Sequence, residues 1–164
     1  MSPDAATLTG IQEEISSLLG DVEEISEDRG HLTVRIAPER RTQALAALKS
    51  LGFTFYSWAG GVDWPEQDQM ELMEQVFDVA RNARVTLRCR MPRSDPRVPT
   101  AINVYAGADW HEREAWELFG IHFTGHPKLR RLLLADWQEG YPMRKDEALR
   151  ARIEKPWPGE FFSG

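Results

Sequence analysis

The sequence predicts one α+β domain, with a mostly antiparallel sheet covered by helices, followed by an extended C-terminal tail. Helical and strand patterns alternate along the first three quarters of the chain, which is typical of such a domain. A length of 164 residues is enough for one sizeable core. Beyond Gly120 the periodic apolar pattern gives way to arginine, proline, tryptophan and glycine. We therefore divide the chain into a domain of residues 1–125 and a tail of residues 126–164.

Two segments near the N-terminus carry helical patterns. Apolar side chains recur at helical spacing over residues 8–19, and Gly20 follows as a stop. Residues 40–51 are rich in alanine and leucine, with the leucines along one face, and Gly52 is placed as a C-cap. We therefore predict two helices that each pack one apolar face against the core.

Strand patterns follow in four short segments. Residues 31–36 and 84–91 alternate apolar and polar side chains, which predicts strands with one face toward solvent. Residues 53–56 predict a further strand, and Ile102, Val104 and their neighbours another one beyond a proline-broken stretch. Residues 59–66 are turn-rich and polar, and we predict a loop there.

The segment of residues 70–80 fits two patterns. Its apolar side chains match a helical stripe and also period-two alternation, and the pattern alone slightly favours a helix. Cys89 lies on the apolar face of the strand that follows, where a small buried core residue is expected rather than a reactive thiol.

Composition narrows the classes of function. One cysteine excludes an internal disulfide and a four-ligand iron–sulfur cluster held by this chain alone. A net charge of −6 argues against a nucleic-acid binder that works by phosphate neutralisation. The apolar runs are far shorter than the roughly 20 residues of a membrane span, and no secretory signal is evident, so we expect a cytosolic location. The basic excess in residues 126–155 indicates either a solvated surface or an electrostatic docking segment.

Residues 109–120 predict a helix with defined ends. Asp109 is placed as its N-cap, Glu112 completes an arrangement like a capping box, and Gly120 supplies the stop. At about 100° per residue Glu112 falls inside the apolar arc, whereas Arg113, Glu114 and Glu117 lie outside it. A carboxylate there must cap the backbone, pair with a cation or be protonated. We expect the partner of Glu112 to be Arg130 or Arg131.

Catalytic and metal-binding alternatives are weaker. The segment His111-Glu112 begins like the zinc motif H-E-x-x-H, but Ala115 occupies the position of the second histidine. His122 and His126 are four residues apart, but Gly125 lies between them and a proline follows, which disfavours a helical metal pair. An independent hydrolase would use Glu112, Glu114 or His126, but no nucleophile, phosphate loop or cofactor fingerprint accompanies these residues.

A spaced set of residues runs from this helix into the tail. Its members are Glu112-Arg113-Glu114, Glu117-Leu118-Phe119, His126, Arg130 and Leu132. This set resembles the signature of the C-type subunit of respiratory-chain NADH dehydrogenase (complex I), the 30 kDa subunit family. Segments around residues 62–66, 93–100 and 136–146 are also similar, so the resemblance covers most of residues 40–146.

The resemblance implies a small peripheral subunit of NADH:quinone oxidoreductase, on the cytoplasmic side of the cell membrane. It implies a strand pair over residues 70–91, which we adopt over the helical alternative. It also implies no cofactor in this chain, with FMN, iron–sulfur clusters and quinone in partner subunits and proton pumping in the membrane arm. The implied partners are the D-type subunit, which is related to hydrogenase large subunits and over which the tail wraps, and the iron–sulfur subunits B and I.

Ten residues are predicted to serve structure and assembly, and none to be catalytic or to bind a cofactor or metal. They are Glu112, Arg113, Glu114, Glu117, His126, Arg130, Arg131, Arg144, Lys145 and Asp146. We hypothesise an ion-pair framework that ties the last helix to the tail, with residues 144–146 docking on the partner. The resemblance leaves open the equivalent subunit of a membrane-bound hydrogenase or a ferredoxin-linked complex.

Overall fold

A computed structural model describes residues 5–20 and 22–147 of the chain. The described part contains three helices, α1 (Ala5–Leu19), α2 (Arg41–Ser50) and α3 (Ala108–Phe119). Short 3-10 turns at Pro38–Arg40 and Pro65–Gln67 precede α2 and follow the third strand. The strands are β1 (Glu24–Asp28), β2 (His31–Ile36), β3 (Phe55–Trp64), β4 (Gln69–Asp78), β5 (Ala83–Pro92), β6 (Arg97–Pro99) and β7 (His122–Thr124).

Five of these strands form the main sheet in the order β1-β2-β5-β4-β3. Three of its four pairings are antiparallel, and only β2 and β5 run parallel. The short strands β6 and β7 pair in parallel as a separate two-stranded sheet. The predicted fold class, a mostly antiparallel sheet covered by helices, is confirmed. Residues 148–164 of the predicted extended tail lie outside the described residues.

The core lies between the inward face of the sheet and the three helices. Inward positions on β2, β4 and β5 are buried, whereas outward positions are half-buried or exposed, apart from Glu71. The core includes Ile11 and Ile15 of α1 and Leu45 and Leu48 of α2. Burying this apolar surface supplies the main driving force for folding.

Several predicted elements are confirmed. The helices α1 and α2 and the strands β2 and β5 occupy the predicted segments, and residues 70–91 form the adopted strand pair, β4 and β5. Cys89 is a buried core residue as predicted, and burial raises the pKa of its thiol. The helical spacing of apolar side chains in residues 70–80 had favoured a helix, but β4 is a strand whose side chains alternate between the two faces of the sheet with period two.

The loop predicted over residues 59–66 is wrong, since β3 continues to Trp64. Its two glycines allow close packing rather than a turn. A Cβ on Gly61 would lie 2.5 Å from the ring of Phe119, and one on Gly60 would lie 2.7 Å from the indole of Trp58. Glycine in a strand often marks such a close approach.

Two further differences concern short strands. The predicted strand at Ile102 and Val104 is wrong, because this segment turns toward α3, with the Val104 N–H donating to the carbonyl oxygen of Ala101. The edge strand β1 was not predicted because four of its five residues are exposed and polar or charged. Among the described residues, no helix has the length and hydropathy needed to cross a bilayer.

Candidate functional site

The guanidinium of Arg41 lies between two fully buried carboxylates at the start of α2. Its Nε and Nη2 donate to the two oxygens of Glu74 on β4, at 2.9 and 2.8 Å. Its Nη1 donates to Oε1 of Glu112 on α3 at 2.9 Å and to the carbonyl oxygen of Pro99 at 2.6 Å. Arg41, Glu74 and Glu112 are each 0% exposed. We call these three side chains the buried ion cluster.

Neutral donors complete the hydrogen bonding of the buried ion cluster. The Tyr56 hydroxyl donates to Glu74 at 2.7 Å. The Thr100 hydroxyl and the Ala101 N–H donate to Glu112 at 2.5 and 2.7 Å. Each carboxylate therefore accepts three hydrogen bonds, which offsets the cost of burying two negative charges beside one positive charge.

The electrostatics of the cluster favour an ionised arginine and a neutral tyrosine. Burial opposes the charge of Arg41, but the neighbouring Glu74 and Glu112 outweigh it and hold its pKa well above the ordinary value. Burial, with the added effect of Glu74, also raises the pKa of Tyr56 well above the ordinary value. The cluster thus links α2, β4, α3 and the segment before α3 through charged hydrogen bonds.

Glu112 lies inside the helix packing face as predicted, but its predicted partners are wrong. The partner of Glu112 is Arg41, and neither Arg130 nor Arg131 contacts the Glu112 carboxylate. The capping box is also wrong, because α3 begins at Ala108 behind Gly107, with no side-chain cap. Sequence analysis missed Arg41 because, as the first residue of a helix, it shows no signal of burial.

Two other charged residues of α3 hold the tail. Arg113 donates from Nε and Nη2 to the carbonyl oxygens of Arg130 and Arg131, at 3.1 and 3.0 Å. Glu117 accepts from the N–H groups of Leu132, Leu133 and Leu134, at 2.9, 2.7 and 3.3 Å. We call these five contacts the tail clamp.

The tail clamp corrects two expectations. Arg113 and Glu117 were placed outside the packing face, but both are buried, because the tail backbone lies against them. The expected ion-pair framework is wrong in form, since charged side chains of the helix bond main-chain groups of the tail. Arg130 is itself exposed, while Arg131 donates to the carbonyl oxygens of Ala135 and Gln138.

Glu114 and His126 occupy different positions around α3. Glu114 is only partly exposed, and its Oε2 lies 4.0 Å from Nδ1 of His111. The buried imidazole of His126 places Nε2 3.2 Å from Oδ1 of Asp109, and its Nδ1 accepts from the Lys128 N–H at 3.1 Å. His126 therefore fixes the start of the tail beside the first turn of α3.

The far end of the described tail folds back onto the domain. The Nε of Arg144 donates to the carbonyl oxygen of Phe119 at 2.7 Å, and the N–H of Met143 donates to that of Leu118 at 3.1 Å. These donors satisfy two orphan carbonyls at the C-terminus of α3. The guanidinium of Arg144 also lies 4.6 Å from the ring centroid of Tyr141.

Lys145 and Asp146 attach the end of the described tail to Asp63 and Arg93 of the domain. Arg93 donates to both oxygens of the buried Asp63, at 2.7 and 3.1 Å, and its Nη2 lies 2.6 Å from Oδ1 of Asp146. The N–H of Lys145 donates to Asp63 at 2.8 Å. Arg93 lowers the pKa values of both Asp63 and Asp146. We call these four residues the acidic latch.

The outer surface of the tail carries exposed apolar side chains. Leu133 is 62% exposed and Trp137 75% exposed, and Met143 is also exposed. A cavity of about 220 Å³ lies between α3 and the tail, lined by Trp116, Glu117, Arg131, Gly140 and Tyr141. Large exposed apolar side chains on one segment indicate a candidate interaction surface.

Comparison with known protein families shows to which family the chain belongs. The model of the family "Respiratory-chain NADH dehydrogenase, 30 Kd subunit" matches residues 34–152, which include the buried ion cluster, the tail clamp and the acidic latch. The chain belongs to this family. The resemblance found in the signature of α3 and the tail is thereby confirmed.

Curated relatives within the 30 kDa family carry consistent names. The second C-type subunit of NADH-quinone oxidoreductase from Rhizobium meliloti (strain 1021) is 38% identical over 145 residues, covering 86% of this chain and 79% of the relative. The C-type subunit of NADH-quinone oxidoreductase from Salinispora arenicola (strain CNS-205) is 38% identical over 133 residues, covering 78% of this chain and 54% of the relative.

Two solved structures share the fold of the 30 kDa subunit. A chain of the membrane-bound sulfane sulfur reductase, an archaeal respiratory membrane complex, aligns with a TM-score of 0.78 and 26% identity, covering 85% of each chain. A trypsin-resistant fragment of Nqo5 aligns with a TM-score of 0.64 and 29% identity, covering 74% of this chain and 98% of that one.

The metal-binding and acid–base alternatives raised by the sequence can be compared with the described part of this family member. No group of three or more histidine, cysteine or acidic side chains within residues 5–20 and 22–147 is placed to hold a metal ion. Glu112, the residue best placed in the sequence for acid–base chemistry, is enclosed by Arg41, Thr100 and Ala101. These contacts of Glu112 hold α2, α3 and the segment before α3 together.

Proposed function

We propose that this chain is a peripheral, cofactor-free structural subunit of a proton-translocating NADH:quinone oxidoreductase. The observation that carries the proposal is that the residues of the family signature on α3 form contacts within the fold. Glu112, Arg113 and Glu117 join α3 to the domain and to the tail through hydrogen bonds within the chain. The contribution of the chain is therefore to fix the shape of a surface on which other subunits assemble.

The chemistry of the complex belongs to its partners in this proposal. Electrons pass from NADH through FMN and iron–sulfur clusters of other subunits to quinone, and proton translocation takes place in the membrane arm. The relatives are named as C-type subunits of NADH-quinone oxidoreductase, which supports this assignment. The chain lies on the cytoplasmic side of the cell membrane and meets it only through partners, chiefly the D-type subunit and the iron–sulfur subunits B and I.

In this proposal the chain consists of a domain of residues 1–125 and a partner-docking tail of residues 126–164, and the tail provides the docking surface. The tail clamp and the acidic latch hold residues 130–146 against the domain, so the exposed side chains of Leu133 and Trp137 face outward. The D-type subunit is the proposed occupant of this outward surface. Residues 148–164 complete the proposed tail and lie outside the described residues.

The structure modifies one part of the docking hypothesis. Residues 144–146 were expected to contact the partner directly, but Arg144 caps α3 and Asp146 pairs with Arg93. We propose that they act on assembly indirectly, by holding the tail in its docking conformation. Arg130 and Lys145 are exposed and Glu114 is partly exposed, so these residues can contact a partner, although the ammonium of Lys145 lies 5.6 Å from the ring centroid of Trp64.

A second candidate is the equivalent subunit of a related respiratory complex with another electron donor. The observation that favours it is the fold shared with a chain of the membrane-bound sulfane sulfur reductase at a TM-score of 0.78. A membrane-bound hydrogenase or a ferredoxin-linked complex belongs to the same class of candidate. The electron donor binds elsewhere in such complexes, so the identity of the companion subunits distinguishes them.

Affinity purification of the tagged chain from native membranes in mild detergent tests the proposal. Recovery of NADH-binding, iron–sulfur and membrane subunits together, with NADH:quinone reductase activity, is the expected result. Recovery of a nickel-site large subunit or a ferredoxin-linked partner would select the second candidate. A chain recovered alone would contradict both.

A further inference from the structure

The outward face of the main sheet is left open by the three helices. Contacts of α2 and α3 with the sheet are made at inward positions, from Arg41 to Glu74 and from Phe119 to Gly61. Outward positions on β4 and β5 alternate with these buried positions and are half-buried or exposed, except for Glu71. The described part of the chain therefore has a second broad surface, on the side of the sheet away from α3.

A row of arginines crosses the centre of this outward face. Arg88 and Arg90 lie on β5, and Arg35 on β2 is in register with Arg88. Glu71 on β4 pairs with both Arg88 and Arg90, at 2.7 and 3.3 Å. Arg35 pairs with Glu24 of the edge strand β1 at 2.7 Å. These three arginines therefore share two carboxylates within the sheet.

Arg84 is the exposed end of the row. It is exposed at the surface of β5 and forms no ion pair within the described residues. With Arg84 the row has four arginines against two paired carboxylates, so this region is basic in a chain whose net charge is −6. Its register partner on β4 is Phe77, so the basic row adjoins an apolar strip.

The apolar strip lies on β3 and β4. Phe55 is 56% exposed and is in register with Phe77, and Met73 lies further along β4. Trp58, which is 45% exposed, follows a bulge in β3, and its indole lies across Gly60, where a Cβ would be only 2.7 Å from the ring. Exposed aromatic side chains beside arginines are the composition of protein interfaces.

We propose that this outward face, made by Phe55, Trp58, Met73, Phe77, Arg84 and Arg88, is a second docking surface for a partner subunit. The surface it fits presents carboxylates beside apolar side chains. Charge complementarity selects this occupant, since a second copy of the chain related by two-fold symmetry would place arginines against arginines. The inference rests on the proposed function, because it takes the partner from the same complex.

Site-specific photo-crosslinking in native membranes tests the surface. A benzophenone amino acid replaces Trp58 in one strain and Trp137 of the tail in another, and crosslinked peptides are sequenced after irradiation. The Trp58 position should crosslink to a peptide of another subunit that contains aspartate or glutamate among apolar residues. An adduct to a second copy of this chain, or to a peptide without carboxylates, would overturn the inference.

The Trp137 position separates failure of the inference from failure of the proposed function. Crosslinks at position 137 without any at position 58 would mean that the outward face is solvent-exposed in an assembled complex, so only the inference would fail. Absence of crosslinks at both positions, together with a chain that sediments alone, would remove the proposed function as well.

Charge reversal at Arg84 tests the electrostatic part. Arg84→Glu changes an exposed residue with no ion pair in the described structure, so folding should be unaffected, and the crosslink yield at position 58 should fall at least tenfold. Arg84→Gln should lower the yield by less. Arg97→Glu reverses the charge of an exposed arginine on β6, which pairs with the exposed Asp95 at 2.6 Å, and as the control away from the outward face it should leave the yield unchanged. Equal yields in Arg84→Glu and Arg97→Glu would contradict charge complementarity.

Discussion

Arg41 and Glu112 lie 71 residues apart in the sequence and 2.9 Å apart in the fold, and both side chains are fully buried. The pair joins the first residue of α2 to the middle of α3. Because Glu74 and Glu112 share one guanidinium, loss of Arg41 would leave two buried carboxylates without a cation, and loss of Glu112 would leave its buried donors without an acceptor. The position of α3, and with it the tail surface, therefore depends on this pair.

Removal of the carboxylate at position 112 should destabilise the fold strongly. Glu112→Ala leaves the Thr100 hydroxyl and the Ala101 N–H without their acceptor and removes one of the acceptors of Arg41, and each buried donor left unsatisfied costs about 1–3 kcal/mol. Chemical denaturation of the purified chain measures the free energy of unfolding. Glu114→Ala, at a partly exposed position two residues away, is the control and should stay within about 0.5 kcal/mol of wild type. Equal losses in the two variants would contradict the role of the buried ion cluster.

Removal of the Glu117 carboxylate should release the tail without unfolding the domain. Glu117→Ala takes away the acceptor of three main-chain N–H groups in residues 132–134. Amide hydrogen exchange of those residues should become at least tenfold faster, while exchange in β4 and β5 stays slow. Glu114→Ala again serves as the control. Unchanged protection of residues 132–134 in Glu117→Ala would show that the tail is held by other contacts.

The acidic latch should weaken only in acid. Arg93 lowers the pKa values of Asp63 and Asp146 in the folded chain below the ordinary aspartate value of about 3.9. A carboxyl with a lowered folded pKa stabilises the fold above its unfolded pKa, and this stabilisation is lost as pH falls through the folded value. The contribution of the latch to the free energy of unfolding should therefore be constant above about pH 5 and decrease as the pH falls below about 4.

Asp63→Asn provides the test of this pH dependence. The variant should be less stable than wild type at pH 7 and should lose part of the acid-dependent slope, because residue 63 can no longer titrate. Asp95→Asn removes an exposed aspartate near Arg97 and should retain the wild-type slope. The same slope in Asp63→Asn and wild type would place the acid sensitivity elsewhere in the chain.

Close packing between β3 and α3 makes Gly61 a sensitive position. Gly61→Ala would put a methyl group 2.5 Å from the ring of Phe119, so the helix must shift, which typically costs about 1–3 kcal/mol. Gly107→Ala is the matched control, since no atom lies within 4 Å of the added Cβ. Thermal unfolding of both variants measures the difference. A Gly61→Ala midpoint equal to that of Gly107→Ala would mean that the strand and helix are not in contact.

The sequence predicts helices and strands better than contacts between residues that are far apart in the chain. Period-two alternation located β2 and β5, and apolar spacing located α1 and α2, because burial of one face imposes these periods locally. The family resemblance supplied β4, where the pattern alone favoured a helix. Gly60 and Gly61 were taken for a turn, since the sequence does not reveal that Trp58 and Phe119 pack onto their backbone.

The candidate site was predicted only in part for a related reason. Glu112 stood out because a carboxylate in an apolar arc needs a partner, but its partner lies 71 residues away and begins a helix. Arg113 and Glu117 were placed outside the apolar arc, and their burial was not predicted because the covering tail has no periodic pattern. The bonds they form go to main-chain groups, which have no residue-type signature.

The NADH:quinone reductase rate of membranes tests the central claim most directly. It is compared between a strain that lacks this chain and the same strain carrying the wild-type chain. We predict that loss of the chain abolishes the rate, because the complex does not assemble, and that the wild-type chain restores it. An unchanged rate in the strain without the chain would contradict its assignment as a structural subunit of the oxidoreductase.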